Sequence, residues 1–128
     1  MRKIAGINIQ FPISQLILKG EKTIETRTYP IPSHYVGREL AIIETPGVNG
    51  DFEARIVGTI IFSGCFAYEN QRSFYADQSR HRVSSASPWR WTDERPKWGW
   101  EISKVVTFGA PIPAPKRRGI VYTKDVEI

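Results

Sequence analysis

The run from Phe52 to Phe66 constrains the fold more than any other part of the chain. It is rich in Ile, Val, Thr and Phe, residues that suit a pleated, half-buried surface, and it is the longest strand signal present. Gly58 within it marks a bulge or a bend, because glycine weakens a regular strand. Shorter segments share the same character. Ile4, Ile7 and Ile9 open an extended stretch, and Leu40-Ala41-Ile42-Ile43 within Glu39–Thr45 reads as a buried strand. Trp98–Phe108 and Gly119–Tyr122 add further strands. An early helix follows Pro12, where Ile13, Leu16 and Ile17 fall on one face, Lys19 complements the dipole and Gly20 is a stop. Gln71 to Asp77 reads as a second short helix.

Prolines and glycines punctuate these elements. Tyr29-Pro30-Ile31-Pro32 is a loop, since its prolines remove ladder donors. Pro46–Asp51 is a turn, and Pro111, Pro113 and Pro115 bound a connection. Asp77–Pro96 has no clean period, and structureless stretches longer than about 12–15 residues are usually functional or mobile. The expected fold is mostly β (α+β): a small barrel with short helices at its mouth, with residues 1–128 as a single domain.

With 41% apolar residues, the chain has no stretch near the ~20 consecutive ones that cross a bilayer. Met1–Gly6 has no apolar run behind its charges, so it does not read as a secretory signal. Cys65 is the only cysteine, which excludes an internal disulfide and points to a reducing cytoplasm. Its setting between Gly64 and Phe66 is that of a small buried hydrophobe. His34 and His81 are isolated, so no metal site is expected. No G-x-x-x-x-G-K or G-x-G-x-x-G occurs, and Ser33, Ser63, Ser73 and Ser103 lack a G-x-S-x-G setting, so no cofactor is expected.

Lys and Arg number 18 against 13 Asp and Glu, a net charge of +5. A basic domain is a candidate for binding polyanions. Positive charge gathers at Arg80–Arg82, Arg90–Lys97 and Lys116–Arg118. Trp98 and Trp100 lie two apart in a strand and read as core. Trp89 and Trp91 sit in the long loop with Arg90, Arg95 and Lys97 nearby. There they serve either as stacking platforms for unpaired bases or as hydrophobic anchors. Lys116-Arg117-Arg118 reads as a solvated basic turn.

The chemistry concentrates in Gly20-Glu21-Lys22-Thr23-Ile24-Glu25-Thr26-Arg27. From Thr23 the side chains alternate, so Thr23, Glu25 and Arg27 share a face. Glu25 and Arg27 either pair on a solvated surface or line a polar cleft. The pattern Gly20-x-Lys22-x-x-Glu25-x-Arg27, after a short helix and before a Gly-led apolar strand, resembles the signature of the ASCH domain. Trp98-Gly99-Trp100-Glu101-Ile102 and the prolines at Pro111–Pro115 resemble that family's later strand and its exit. The resemblance spans roughly Ile4 to Pro115. It implies a PUA-like β-barrel whose relatives bind RNA or modified bases, some of them acting as ribonucleases or as amidohydrolases on acylated cytidine. The amidohydrolases use a Lys, a Thr and a Glu. Lys22 matches the lysine, but the threonine position is Glu25 here. Glu44 and Glu53, which bracket the next turn, are candidates for a further acid.

A lysine beside carboxylates holds a phosphate or polarises a carbonyl, and desolvation turns it towards a base. Glu25 can take a proton or orient a water, and Arg27 offers a planar fork to a phosphate. The expected protein is an RNA- or nucleotide-binding domain whose ligand, RNA or a nucleotide or modified nucleoside, is held at Lys22, Glu25 and Arg27. Trp89, Arg90, Trp91 and Lys97 extend the nucleic-acid contact. A small hydrolase with Lys22 and Glu25 as catalytic groups and a protein-interaction adaptor are the alternatives.

Overall fold

A buried strand in the middle of the sheet organises the molecule. In the computed structural model, which describes residues 2–119 and 121–128, β3 (Glu39–Thr45) is buried from Leu40 to Glu44. Leu40 and Ile42 enter one hydrophobic cluster with Ile7, Ile9, Val57, Ile60, Phe62 and Trp100. Ala41 and Ile43 enter another with Ile56 and Val126. A strand covered on both faces needs an unbroken apolar run, and Leu40–Ile43 supplies it.

Around β3 lies one six-stranded sheet in the order β2-β5-β4-β3-β1-β6. Its other strands are β1 (Lys3–Gln10), β2 (Ile24–Arg27), β4 (Arg55–Ala67), β5 (Trp98–Pro113) and β6 (Tyr122–Glu127). The β1–β3 pair is parallel and the rest are antiparallel. Helix α1 (Ile13–Leu18) lies between β1 and β2 in the chain, as its apolar spacing predicts. Helices α2 (Gln71–Ala76) and α3 (Gln78–His81) follow β4. The first of them is capped by a reciprocal pair, Asn70 accepting from the Ser73 N–H and Ser73 Oγ accepting from the Asn70 N–H. Among the described residues no helix is long and apolar enough to cross a membrane.

Gly58 does mark a bulge. The β3–β4 register shifts between Ile42 and Ile43, opposite Gly58 and Ile56. The β4–β5 register shifts between Ile56 and Gly58. A Cβ on Gly58 would stand 2.1 Å from the Val106 carbonyl oxygen, so only glycine permits this approach. Ile42, Ile43, Ile56, Val57 and Ile60 are buried as the pattern requires, whereas Ile102 is only partly so.

The structure departs from the sequence reading in several elements. Among the described residues the ladder is open, because β2 and β6 occupy its two ends without pairing to each other, and no closed barrel of hydrogen bonds forms. Strand β5 runs on through Pro111 to Pro113, where a connection was expected. The reason is that β2 is only 4 residues long and covers Trp98–Glu101. Beyond that point one edge of β5 has no partner strand among the described residues, and prolines are tolerated on such an edge. The last strand begins at Tyr122 and ends at Glu127 rather than spanning Gly119–Tyr122, and Ile120 lies outside the described residues. Part of the Asp77–Pro96 segment is helical, at α3, and its remainder is pinned by a third apolar cluster of Tyr68, Phe74, Val83 and Trp91.

Candidate functional site

The signature segment is anchored before it reaches the sheet. Gly20 ends α1 in the left-handed region, with φ +75°, and the Lys22 N–H donates to the Leu16 carbonyl. The Thr23 N–H then donates to the Arg80 carbonyl, which ties the segment to α3. These bonds turn the Lys22 side chain inward, where it is 3% exposed. Its Nζ donates to the His81 carbonyl at 2.5 Å and lies 3.6 Å from Glu25 Oε1. Glu25, 6% exposed, accepts from Arg27 Nη2 at 3.0 Å and from the Thr26 N–H at 3.2 Å. Arg27 Nη2 also donates to the Asn8 carbonyl of β1 at 3.1 Å, and its guanidinium lies 5.6 Å from the Trp100 ring centroid.

The Glu25–Arg27 pair is therefore inside a polar cleft, not on a solvated surface. Burial pushes the Glu25 carboxyl up, but the charges of Arg27 and Lys22 and the bonds from Arg27 and Thr26 outweigh it and hold it below its ordinary range. Burial lowers the Lys22 ammonium, and attraction to Glu25 offsets only part of that. For Arg27, burial works against the charge and Glu25 more than restores it. Two cations thus face one carboxylate, leaving surplus positive charge in a dry setting. An ammonium has three hydrogens. Lys22 spends one on His81 and directs another at Glu25.

The cleft beside these groups holds about 320 Å³. Lys22, Glu25 and Arg27 line it on the β2 side, Asn8, Ile9 and Gln10 on the β1 side, and Ile13, Thr45, Val83 and Trp89 elsewhere. A second hollow of about 420 Å³ adjoins it and shares Thr26, Arg27 and Trp89. Arg90, Arg95 and Lys97 line that second hollow.

The loop tryptophans divide. Trp89 is 47% exposed and stands where the two hollows meet. Trp91 is buried beside Phe74, with ring centroids 5.6 Å apart, and its Nε1 donates to Asp93. Its ring is an anchor of the loop and presents no face to a ligand. Trp100 is core, and Trp98 is half-buried against it. Lys116, Arg117 and Arg118 are exposed and do not line the cleft. Glu44, buried, accepts from Ser14 at 2.5 Å, Gln15 at 2.6 Å and Arg55 at 2.8 Å, so it ties α1 to the sheet. Glu53 is exposed and does not line the cleft. Cys65 is half-buried. Among the described residues no group of His, Cys, Asp and Glu is placed to hold a metal ion.

Sequence reasoning missed Asn8, Gln10 and Thr45. The first two had a signal, as polar residues alternating with the buried Ile7 and Ile9 along β1. It also missed His81, whose carbonyl holds Lys22. The His81 ring stacks on Phe74 with centroids 4.1 Å apart, accepts from the Val83 N–H at Nδ1 and meets the Phe74 carbonyl at Nε2. These partners require the neutral tautomer with the proton on Nε2.

Two crystal structures of ASCH proteins from Zymomonas mobilis share this architecture. A serine-to-alanine variant aligns with a TM-score of 0.69 at 16% identity, over 96% of this chain and 88% of that one. A second structure aligns with a TM-score of 0.63 at 17% identity, over 88% of this chain and 74% of that one. The fold is that of ASCH domains. At the level of sequence no family model and no curated protein matches. The ASCH-like motif at Lys22, Glu25 and Arg27 lies on β2 and the turn before it, beside the cleft.

Proposed function

We propose that the protein binds a nucleotide or a single-stranded RNA segment, with a base held in the cleft beside Lys22, Glu25 and Arg27. The observation that carries this reading is the composition of the cleft wall. Apolar Ile9, Ile13, Val83 and Trp89 line it together with the polar residues Asn8, Gln10 and Thr45 and a buried charged triad. A flat, polar-edged ring needs that combination of stacking surface and directed donors. The volume of about 320 Å³ lies within the ~300–1,000 Å³ typical of small-ligand sites. In this reading the sheet is a PUA-like barrel whose ladder is left open between its end strands β2 and β6, with Arg27 of β2 reaching across to the Asn8 carbonyl of β1. A cytoplasmic site of action accords with a single thiol. Titration of a short single-stranded RNA at increasing salt tests the reading. The affinity should fall by roughly tenfold or more between low and moderate salt for a handful of phosphate contacts. Salt-insensitive binding, or none at micromolar protein, would reject it.

A hydrolase in the same cleft is the second reading, favoured by the Lys22 ammonium, which burial lowers while Glu25 stands 3.6 Å away. Such a pair suits proton transfer, worth about 10²–10⁴-fold in rate. Hydrolysis of RNA and of acylated cytidines by wild type, Lys22→Ala and Glu25→Gln decides it. Equal, low activity in all three means a binding protein alone.

A further inference from the structure

We infer that the hollow beyond Trp89 is a phosphate subsite built on Lys97 and Arg95, so that the ligand of the neighbouring cleft carries a phosphate. The inference rests on the nucleotide reading of that cleft and goes on to name the ligand's charged group. Lys97 is the observation that carries it. It is 9% exposed, yet among the described residues it has neither an ion pair nor a side-chain hydrogen bond. Arg95 and Arg90, which line the same hollow, also lack a carboxylate partner among the described residues. Of the two acids nearest in sequence, Asp93 accepts from Trp91 Nε1, and Glu94 is exposed and pairs with neither cation among the described residues.

Burying a cation without a counter-charge is costly, and proteins ordinarily pair such groups. The backbone here leaves Lys97 little freedom to withdraw. Its carbonyl accepts from the Tyr68 N–H at 3.0 Å, and Trp98 pairs with Ala67 in the ladder directly after it. Burial and the charge of Arg95 both lower its ammonium, which an incoming anion would reverse. The Thr28 and Thr92 hydroxyls on the same wall add neutral donors. A dianion in this hollow would neutralise Lys97 and Arg95 while its attached base turned past Trp89 into the cleft, with Arg27 bordering both.

Isothermal titration of each common nucleoside, its 5′- and 3′-monophosphates, and inorganic phosphate tests the inference on wild type, Lys97→Met and Arg95→Gln. At least one monophosphate should bind about tenfold or more tighter than its nucleoside, the difference that charge-assisted contacts make. Both substitutions should erase that advantage and leave nucleoside affinity unchanged. Arg95 is exposed, so its variant reports on the site even if Lys97→Met fails to fold. Equal affinities of nucleoside and monophosphate would overturn the phosphate subsite and leave the base cleft standing. Phosphate binding that both variants abolish, with no added affinity from any base, would uphold the subsite and reject the base cleft. No binding of any of these ligands would overturn both.

Discussion

Replacing Glu25 by Gln removes the one carboxylate between two buried cations while conserving shape. The side chains of Lys22 and Glu25 are 3% and 8% exposed, so water screens little of their interaction. Removing one partner of a buried pair costs about 3–5 kcal/mol, because the other charge is left uncompensated. Lys22 keeps the His81 carbonyl and Arg27 keeps the Asn8 carbonyl, which places the expected loss near the lower end, about 3 kcal/mol. For a domain of this size that is roughly 10–15 °C in Tm. The assay is urea unfolding followed by circular dichroism, with an unchanged m-value as the sign that the fold persists. The double variant Lys22→Met, Glu25→Gln should be more stable than Glu25→Gln alone, since one of the stranded cations has gone. A Glu25→Gln variant within about 0.5 kcal/mol of wild type would refute the reasoning, as only a solvated pair behaves so. A double variant worse than the sum of its parts would refute it too.

Stability should fall as pH drops. His81 sits below its ordinary 6.5 mainly because of burial, so the unfolded chain takes up a proton that the fold refuses, and stability declines from about that pH downward. Glu25 and Glu44, both held below their ordinary 4.5, contribute stability above that value that is lost as pH falls through their lower folded values. Urea unfolding at neutral, mildly acidic and acidic pH checks this, and a flat profile contradicts it. Gly58→Ala drives a Cβ to 2.1 Å from a backbone oxygen and should cost about 1–3 kcal/mol in the same assay. A neutral substitution there would mean that the bulge relaxes freely.

Much of this architecture was legible in the chain. The apolar run Leu40–Ile43, the glycine in β4, and the α1 spacing each correspond to one physical requirement, and each is met where expected. The open ladder was not legible, because strand pairing depends on the length of β2, and no local pattern in Thr23–Arg27 tells a 4-residue strand from a longer one. The course of β5 through Pro111 failed for the same reason: a proline rule for central strands gave way because β5 beyond Glu101 has one free edge among the described strands. At the site, Lys22, Glu25 and Arg27 were readable as a polar face, but their burial was not, since it comes from α3 and the loop that follows. Trp89 and Trp91 look alike in sequence. Only the packing against Phe74 separates the anchor from the exposed ring.

The exposed ring gives the most direct test of the central claim, that a base occupies the cleft beside Lys22, Glu25 and Arg27. The measurement is the dissociation constant of a short single-stranded RNA for wild type and for Trp89→Ala at one fixed salt concentration. Trp89 is 47% exposed, so its loss should leave the fold intact by circular dichroism. Stacking on a base is worth about 1–3 kcal/mol, so the variant should bind roughly 5- to 150-fold more weakly. Equal affinity in the two proteins would contradict the account.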